Sequence, residues 1–396
     1  MSHSGGSVSL REHFGDIPDP RVNRTRRHNL IDVLVIALCA ILSGADDFVY
    51  IEMFGKAKKS WFKERLELPN GIPSHDTFAR VFAKIDPLAL EKAFISWIES
   101  LKSQASAEEA KSSGETRKDQ EVISIDGKTV RKSFDSTNGK SAIHMVSAWA
   151  TNARLVLGQV KVDDKSNEIT AIPELLDLLD ISGCLVTIDA MGCQKAIAAK
   201  IREKGADYVL ALKDNQPNLN EDVRLFIEHA EADKFTELKK RTITTVEKDH
   251  GRIETRKYTL IELPDGIAWA DEKQEWPGLT SVGMVTSTRQ IGAEVSVETR
   301  YFITSIPVEP KQSARRFARA IRSHWGIENS VHWVLDVIFN EDACRVRKDN
   351  APENLAVMRH MALNLFRQDT TVQSSIKGKR HMAMWDIDYM ANLLGI

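Results

Sequence analysis

Two short apolar runs rich in β-branched residues each end in an aspartate, and this repeated pattern constrains the fold more than any other feature. The run Ile123–Ile125 precedes Asp126, and the run Val186–Ile188 precedes Asp189. Such runs are typical of buried strands in an α/β sheet, where functional side chains collect at the strand ends. Two neighbouring carboxylates repel each other, and a divalent cation relieves that repulsion. The pattern predicts a Mg²⁺ or Mn²⁺ site; the structural alternative is that each aspartate only caps the next turn.

The order of predicted elements after residue 120 indicates an α/β fold. Apolar runs and amphipathic stretches follow one another as β-β-β-α-β-α-β, which predicts a mixed sheet flanked by helices. Residues 218–305 interrupt this order with a helix and four alternating strand patterns, so they are predicted to be a β-rich insertion. The core domain then comprises residues 121–217 and 306–396, the latter ending in C-terminal helices.

Residues 1–102 are predicted to form an all-α domain. A helix begins after Ser74, which is a favourable N-cap, and its outward side carries His75, Thr77 and Arg80. Short helices of this kind favour a helix-turn-helix-like DNA-binding domain, and a plain helical assembly bundle is the alternative. Residues 103–120 have no apolar periodicity and are predicted to be a linker.

Composition and the absence of several sequence patterns narrow the class of protein. The 396 residues include 54 Lys+Arg and 56 Asp+Glu, a formal charge of −2, so any affinity for nucleic acid must come from local patches. The four scattered cysteines form no CxxC pair, which is typical of a reducing compartment. No signal-peptide pattern and no run long enough to span a bilayer are present, so we expect a cytoplasmic protein. Phosphate-binding loops, GxGxxG, GxSxG and HExxH are all absent.

A polar stripe at steps of four residues runs along the helix predicted after residue 313. It consists of His324, Glu328, His332 and Asp336, and Glu328 borders the apolar side, where partial burial is expected. Glu328 is therefore the preferred third acid, because helix packing fixes its direction and its side chain is long. The alternatives for the stripe are a zinc site or a solvated face. The competing acids are Glu254, Asp336, Glu341 and Asp342.

Basic residues cluster at several places, and together they suit a polyanion backbone, although each cluster alone is typical of a solvated face. The candidate DNA-binding residues are Arg24, Arg26, Arg27, His75, Thr77, Arg80, Lys128, Arg131, Lys213, His250, Arg252, Arg256, Arg315, Arg319, Arg322, His324, Arg345 and Arg347.

Several ordered motifs along nearly the whole chain resemble one known family. The chain is similar to DDE-class insertion-sequence transposases, in the branch of the H-repeat-associated (Rhs-linked) proteins. The motifs are PDPR and RRHNLIDVL within Pro18–Leu34, SIDGKTVR (Ser124–Arg131), KSNEITAIPELL (Lys165–Leu176), TIDAMGCQ (Thr187–Gln194), YVLALKDNQP (Tyr208–Pro217), DHGRIETR (Asp249–Arg256) and HWGIENSVHWVLDV (His324–Val337).

The resemblance implies an RNase H-like core with the β-rich insertion before its final acidic helix. By position, the three family acids fall on Asp126, Asp189 and Glu328, which would be both the catalytic residues and the ligands of two Mg²⁺ or Mn²⁺ ions. Related transposases carry a Tyr and an Arg before the third acid and a Lys after it. Here Ile321, His324 and Leu335 stand at those positions, and Arg322 or Arg345 is the candidate replacement for holding phosphates.

The function that this resemblance implies is cleavage at transposon ends followed by strand transfer into target DNA. The expected partners are double-stranded DNA, namely terminal inverted repeats and target, and a second copy of the chain in a homodimer assembled on DNA. No membrane partner is expected, and the expected location is the nucleoid in the cytoplasm. The alternatives are an RNase H-like nuclease without strand transfer and a domesticated DNA-binding protein without catalysis.

Overall fold

The computed structural model describes residues 10–112, 119–134, 139–163, 166–236, 238–249, 251–264 and 273–396. The chain divides into two compact units. The helical unit comprises Met1–Lys118, Gly127–Lys165 and Glu328–Ile396, and the sheet unit comprises Asp119–Asp126 and Ser166–Ile327.

The described helices and strands are numbered in chain order. The helices are α1 (Leu10–Phe14), α2 (Leu30–Leu42), α3 (Phe48–Ala57), α4 (Lys59–Lys63), α5 (His75–Lys84), α6 (Pro87–Ser112), α7 (Glu168–Leu178), α8 (Lys195–Glu203), α9 (Pro217–Ala232), α10 (Ser313–Ile327), α11 (Trp333–Val337), α12 (Ala351–Gln368), α13 (Ile376–Trp385) and α14 (Ile387–Leu394). The strands are β1 (Val122–Thr129), β2 (His144–Ala150), β3 (Leu155–Lys161), β4 (Leu185–Ile188), β5 (Asp207–Leu212), β6 (Lys240–Asp249), β7 (Arg252–Glu262), β8 (Ser281–Ile291) and β9 (Glu294–Thr304).

The helical unit is organised around α12, which is buried along almost its whole length and packs against α2, α5 and α6. Polar side chains on α12 satisfy backbone groups of its neighbours. Asn364 both donates to the carbonyl of Val156 and accepts from its N–H, each at 2.9 Å, and Asn354 donates to the carbonyl of Phe82 at 2.7 Å. These amides fix α12 against β3 and α5, because buried backbone groups must find partners.

The N-terminal helices confirm the predicted all-α start of the chain. Ser74 caps α5 as predicted, its Oγ accepting a hydrogen bond from the Thr77 N–H at 3.3 Å. The helix that begins at Pro87 is longer than its sequence pattern indicates, because α6 continues to Ser112. Residues 103–112, predicted to belong to a linker, therefore continue this helix.

The sheet unit confirms the predicted α/β class and the β-rich insertion. Its strand order is β1-β4-β5-β9-β8-β7-β6. The strands β1, β4 and β5 are parallel, and β9, β8, β7 and β6 continue the sheet in antiparallel pairs. The parallel part corresponds to the predicted core strands, and β6–β9 correspond to the insertion.

Helix α10 packs on one face of this sheet through an apolar core. Phe317 is fully buried against Tyr258, Val285 and Phe302. Gly283 on β8 lies so close to the Phe317 ring that a Cβ atom there would clash with it. The absence of a side chain at this position therefore lets α10 approach the sheet closely, and this fixes the helix that leads to Glu328.

The first core strand is longer than predicted, and this corrects the expected place of Asp126. The apolar run indicates a strand ending at Asp126, whereas β1 continues through Gly127 and Lys128 to Thr129. The extension is held in the helical unit, where the Thr129 hydroxyl bonds to Nδ1 of His144 at 2.8 Å. Asp126 therefore lies within a strand rather than at its end.

We expect the buried carboxyl of Glu91 on α6 to make stability depend on pH. Burial raises the pKa of Glu91 to about 8, and its Oε1 accepts the Gln159 N–H at 2.7 Å. Because the pKa is raised in the folded state, the protonated Glu91 stabilises the fold. This stabilisation is complete below the unfolded-state pKa of 4.5 and is lost as the pH rises through about 8. Glu91→Gln keeps the acceptor and should remove a slope of about 1.4 kcal/mol per pH unit between roughly pH 5 and 8. Urea unfolding at several pH values measures this; parallel curves for both proteins would contradict it.

Candidate active site

Asp126 and Asp189 each follow the last paired residue of two neighbouring strands. Strands β1 and β4 are parallel neighbours, and their last paired positions are Ile125 and Ile188. Asp126 and Asp189 are the residues that directly follow this last pair. Residues at matching positions of adjacent strands point to the same face, so we infer that the two side chains lie near each other. Both aspartates are half-buried. Their carboxylates are hard oxygen donors, so this pair fits Mg²⁺ or Mn²⁺.

The loop after β4 fixes the Asp189 side chain. Its Oδ1 accepts the backbone N–H groups of Met191 at 3.0 Å and Gly192 at 3.3 Å. Asp189 thus caps the following turn, as the structural alternative predicts. The side chain of Asn215 donates to the carbonyl of Ala190, so the loops after β4 and β5 are also tied together. This edge of the sheet is therefore pre-organised by backbone and side-chain hydrogen bonds.

The face that carries Asp126 is also the face on which α10 packs. Ser124 lies two residues before Asp126 and therefore shares its face. Its buried hydroxyl donates to the carbonyl of Ser323 on α10 at 3.0 Å. This hydrogen bond fixes the last turn of α10 against β1, within the sheet unit, and Ile327 is the final residue of that helix.

Glu328 begins a π-helical turn that joins α10 to α11. The turn covers Glu328–His332, so the long helix predicted from the sequence is interrupted here. The predicted partial burial of Glu328 is wrong, since 61% of its side chain is exposed. Its Oε2 lies 3.2 Å from Nδ1 of His332, which is almost fully buried. The insertion of one extra residue per turn changes which side chains of the stripe face the interior.

Lys128 lies in a buried cluster of charges in the helical unit. Its Nζ is 2.7 Å from Asp336, 3.0 Å from Glu341 and 3.5 Å from Asp342. Glu341 is in turn 3.5 Å from Arg359, and both are nearly inaccessible. The prediction that Lys128 binds DNA is therefore corrected, because its ammonium group is buried and neutralised by three carboxylates.

The pKa directions in this cluster follow from burial and partner charges. Burial alone would lower the pKa of Lys128, but Glu341 and Asp336 hold it above its ordinary value. Burial alone would raise the pKa of Glu341, but Lys128 and Arg359 hold it below its ordinary range. Burial lowers the pKa of His360 to about 4 and also lowers that of His332, against the effect of Glu328. The two cluster histidines are therefore neutral near pH 7.

The other acids considered for the third position are engaged in ion pairs. Glu341, Asp336 and Asp342 belong to the Lys128 cluster. Glu254 pairs with Arg256, as its neighbours in the sequence predict, and lies 3.5 Å from Arg252. These contacts leave Glu328 as the best candidate.

The predicted DNA-binding residues fall into two groups. Many of them are engaged within the protein: Arg26 with Asp19, His75 with Glu52, Thr77 with Ser74, Arg131 with Asp342, Arg252 and Arg256 with Glu254, Arg319 with Asp119, Arg322 with Glu247, and Arg347 with the Lys132 carbonyl. His324 is half-buried, and His250 lies outside the described residues. The exposed candidate cations for which the described part of the chain shows no ion pair are Arg24, Arg27, Arg80, Lys213, Arg315 and Arg345.

Sequence reasoning missed Arg367, whose guanidinium supports the π-helical turn. Its Nη2 donates to the carbonyl of Ser330 at 2.9 Å. No local pattern signals this contact, since the two residues lie 37 positions apart on different elements.

In the parts of the chain that the structure describes, no helix is long and apolar enough to cross a membrane.

Comparisons with known proteins point in one direction. The family model described as Transposase DDE domain matches residues 117–365, and the model described as DDE_Tnp_1-associated matches residues 11–98. The "H repeat-associated putative transposase YhhI" of Escherichia coli K12 is 40% identical over 389 residues, covering 97% of each chain. The "Putative transposase YncI" of Escherichia coli O157:H7 is 43% identical over 389 residues, covering 98% of this chain and 94% of the relative. A shorter relative from strain K12, "Inactive transposase YbfQ", is 40% identical over 75 residues, covering 19% of this chain and 89% of its own length.

Proposed function

The chain belongs to the family of transposases with a DDE domain, and we propose that it cleaves DNA at transposon ends and transfers the cut strand into target DNA. The observation that supports this proposal is the pairing of Ile125 with Ile188 on neighbouring parallel strands, directly before Asp126 and Asp189. Two half-buried carboxylates on one face of a sheet are poorly explained by stability, since like charges repel. They are well explained by a divalent-cation site.

In this proposal Asp126, Asp189 and Glu328 are the metal ligands and the catalytic residues. Two Mg²⁺ or Mn²⁺ ions, when bound there, would make the attacking oxygen a better nucleophile and neutralise charge on the leaving oxygen. The choice of Glu328 is supported by the anchoring of the last turn of α10 through Ser323, directly before the π-helical turn. It is also supported by the engagement of the competing acids with Lys128 and Arg256.

The reaction needs two phosphoryl transfers and no covalent bond to the protein. In the first, water attacks the phosphodiester at a transposon end, and the broken P–O bond leaves a free 3′-hydroxyl. In the second, that hydroxyl attacks a target phosphodiester, so one P–O bond forms as another breaks. The carboxylates hold the reacting groups in place, and the tied loops after β4 and β5 keep Asp189 in a fixed orientation.

The exposed cations would supply the contacts with the DNA backbone. Arg24 and Arg27 lie on an exposed N-terminal segment, and Lys213 follows β5, the neighbour of the strand that leads to Asp189. Such contacts position DNA without reading its sequence. We further propose that the active species is a homodimer assembled on two transposon ends, and that it acts at the nucleoid.

A cleavage and strand-transfer assay with the full chain tests this function. The substrate is duplex DNA from the two flanks of the gene, where terminal inverted repeats are expected, and the cation is Mg²⁺. We expect nicking that exposes a 3′-hydroxyl at the repeat, followed by joined products with a target plasmid. Cleavage without joined products would indicate a nuclease, and binding without metal-dependent nicking would indicate a domesticated DNA-binding protein.

Replacing Arg24 and Arg27 together by alanine should weaken binding to DNA by the full chain. Each lost phosphate contact should lower the slope of log affinity against log salt by about one, so the double variant should lose about two. Fluorescence anisotropy over a salt series measures this slope. Arg224→Ala is the control, because Arg224 is paired with Glu221 and Glu228. An unchanged slope in the double variant would exclude these arginines from the interface.

A further inference from the structure

The π-helical turn at Glu328–His332 is the least regular part of the helix that leads to the third proposed acid. Such turns are rare, cost helical regularity and occur frequently at functional sites. Here the turn lies between two regular helices, α10 and α11. Its first residue, Glu328, has a side chain that is 61% exposed, and its last residue, His332, has one that is 5% exposed. The turn therefore joins a solvent-facing carboxylate to a buried imidazole.

The hydrogen bond across this turn has a defined direction. Nδ1 of His332 lies 3.2 Å from Oε2 of Glu328. A carboxylate can only accept, so the bond requires the tautomer or charge state in which Nδ1 carries a proton. An exposed glutamate without a partner samples several rotamers, whereas this bond restricts Glu328 to those that meet the buried ring.

The imidazole of His332 lies at a polar cavity in the interior of the helical unit. Around it, Lys128, Glu341 and His360 line the same polar cavity within the helical unit. Lys128 is bound to Glu341, which anchors that side of the cavity. On the turn itself, Arg367 donates to the Ser330 carbonyl. The hydrogen-bond donor that reaches Glu328 therefore belongs to a buried side chain and not to an exposed, mobile one.

We propose that His332 is a positioning residue that fixes the Glu328 carboxylate for binding a divalent cation. This rests on the proposed function, in which Glu328 is a metal ligand. The ordinary alternative is that His332 only fills the interior of the helical unit. That alternative explains its burial, but it gives no reason for the bond to an exposed carboxylate. Partners of this kind orient metal ligands, and their loss typically weakens metal affinity 10- to 100-fold.

The test measures Mn²⁺ affinity of the full chain by electron paramagnetic resonance, alongside cleavage. His332→Asn places an amide N–H near the position of Nδ1. His332→Phe keeps an aromatic ring of similar shape but removes the N–H donor. We expect about a 10- to 100-fold loss of Mn²⁺ affinity in the Phe variant and recovery of most of it in the Asn variant. His360→Phe is the matched control, because His360 is equally buried in the same cavity and its Nδ1 has no hydrogen-bond partner among the described residues. That control should bind Mn²⁺ like the wild type.

The outcomes separate this inference from the proposed function. If the wild type cleaves and Glu328→Gln does not, but His332→Phe binds Mn²⁺ normally, the positioning role is wrong and the function stands. Equal losses in His332→Phe and His360→Phe would show a structural effect of the cavity and would also overturn the positioning role. If the Phe variant does not fold, His332→Gln replaces it, because its amide lies near Nε2 rather than Nδ1. Equal Mn²⁺ affinity of the Asn and Gln variants would then overturn the proposal.

Discussion

Glu328→Gln is expected to reduce metal-dependent cleavage at transposon ends by at least about 100-fold, without loss of fold or of end binding. The substitution keeps size and polarity but removes the negative charge that a divalent cation requires of its ligand. The fold should be unaffected, because the side chain is largely exposed and its one described contact is the hydrogen bond to His332. Binding to end DNA, measured by anisotropy in Ca²⁺ or without metal, should remain within about twofold of the wild type, since it depends mainly on backbone contacts.

The matched control for this variant is Glu254→Gln. Glu254 is also a glutamate with a basic partner, but it pairs with Arg256 in the β-rich insertion. Its substitution should leave the chemical step unchanged. Near-wild-type cleavage by Glu328→Gln, together with loss in Asp336→Asn, would show that the third acid has been assigned wrongly.

Lys128→Met should destabilise the folded protein by about 3–5 kcal/mol. Removing one member of a buried ion pair leaves its partner charged and desolvated, and that cost dominates. Here the loss removes the lysine partner of Asp336, leaves Asp342 with the exposed Arg131 and leaves the fully buried Glu341 with Arg359. Only 9% of the Lys128 side chain is accessible, so solvent cannot compensate for the lost charge. Urea unfolding followed by circular dichroism measures the change.

Arg131→Met is the control for the buried cluster. Arg131 also pairs with Asp342, at 3.2 Å, but its side chain is 80% exposed. An exposed ion pair contributes little, so this variant should stay within about 1 kcal/mol of the wild type. A similarly small effect of Lys128→Met would mean that the cluster is not as closed to solvent as the structure indicates.

The sequence was sufficient to predict the two strands that precede Asp126 and Asp189. Val122 and Leu185 each begin a strand with its own apolar run, and these runs pair as parallel neighbours up to Ile125 and Ile188. The N-cap of α5 at Ser74 could also be predicted, because it depends only on the Ser74 hydroxyl and the backbone of the turn that follows it. These features depend on residues that are neighbours in the chain or in one sheet.

Features that depend on distant contacts could not be predicted in the same way. The end of the apolar run predicts that β1 ends at Asp126, whereas β1 continues to Thr129, which is held by His144. Lys128 resembled a DNA contact, and its carboxylate partners lie more than 200 positions further along the chain. The π-helical turn at Glu328 is supported by Arg367, and a four-residue spacing cannot reveal an extra residue in a turn.

The site itself can be tested by locating Mn²⁺ in a crystal structure of the full chain bound to end DNA. Anomalous scattering identifies the ion without reference to activity. We expect Mn²⁺ bound by oxygens of both Asp126 and Asp189 at about 2.0–2.6 Å. Mn²⁺ bound elsewhere, or Asp126 and Asp189 carboxylates more than about 10 Å apart in that complex, a distance that no shared ion can bridge, would contradict the proposed metal centre.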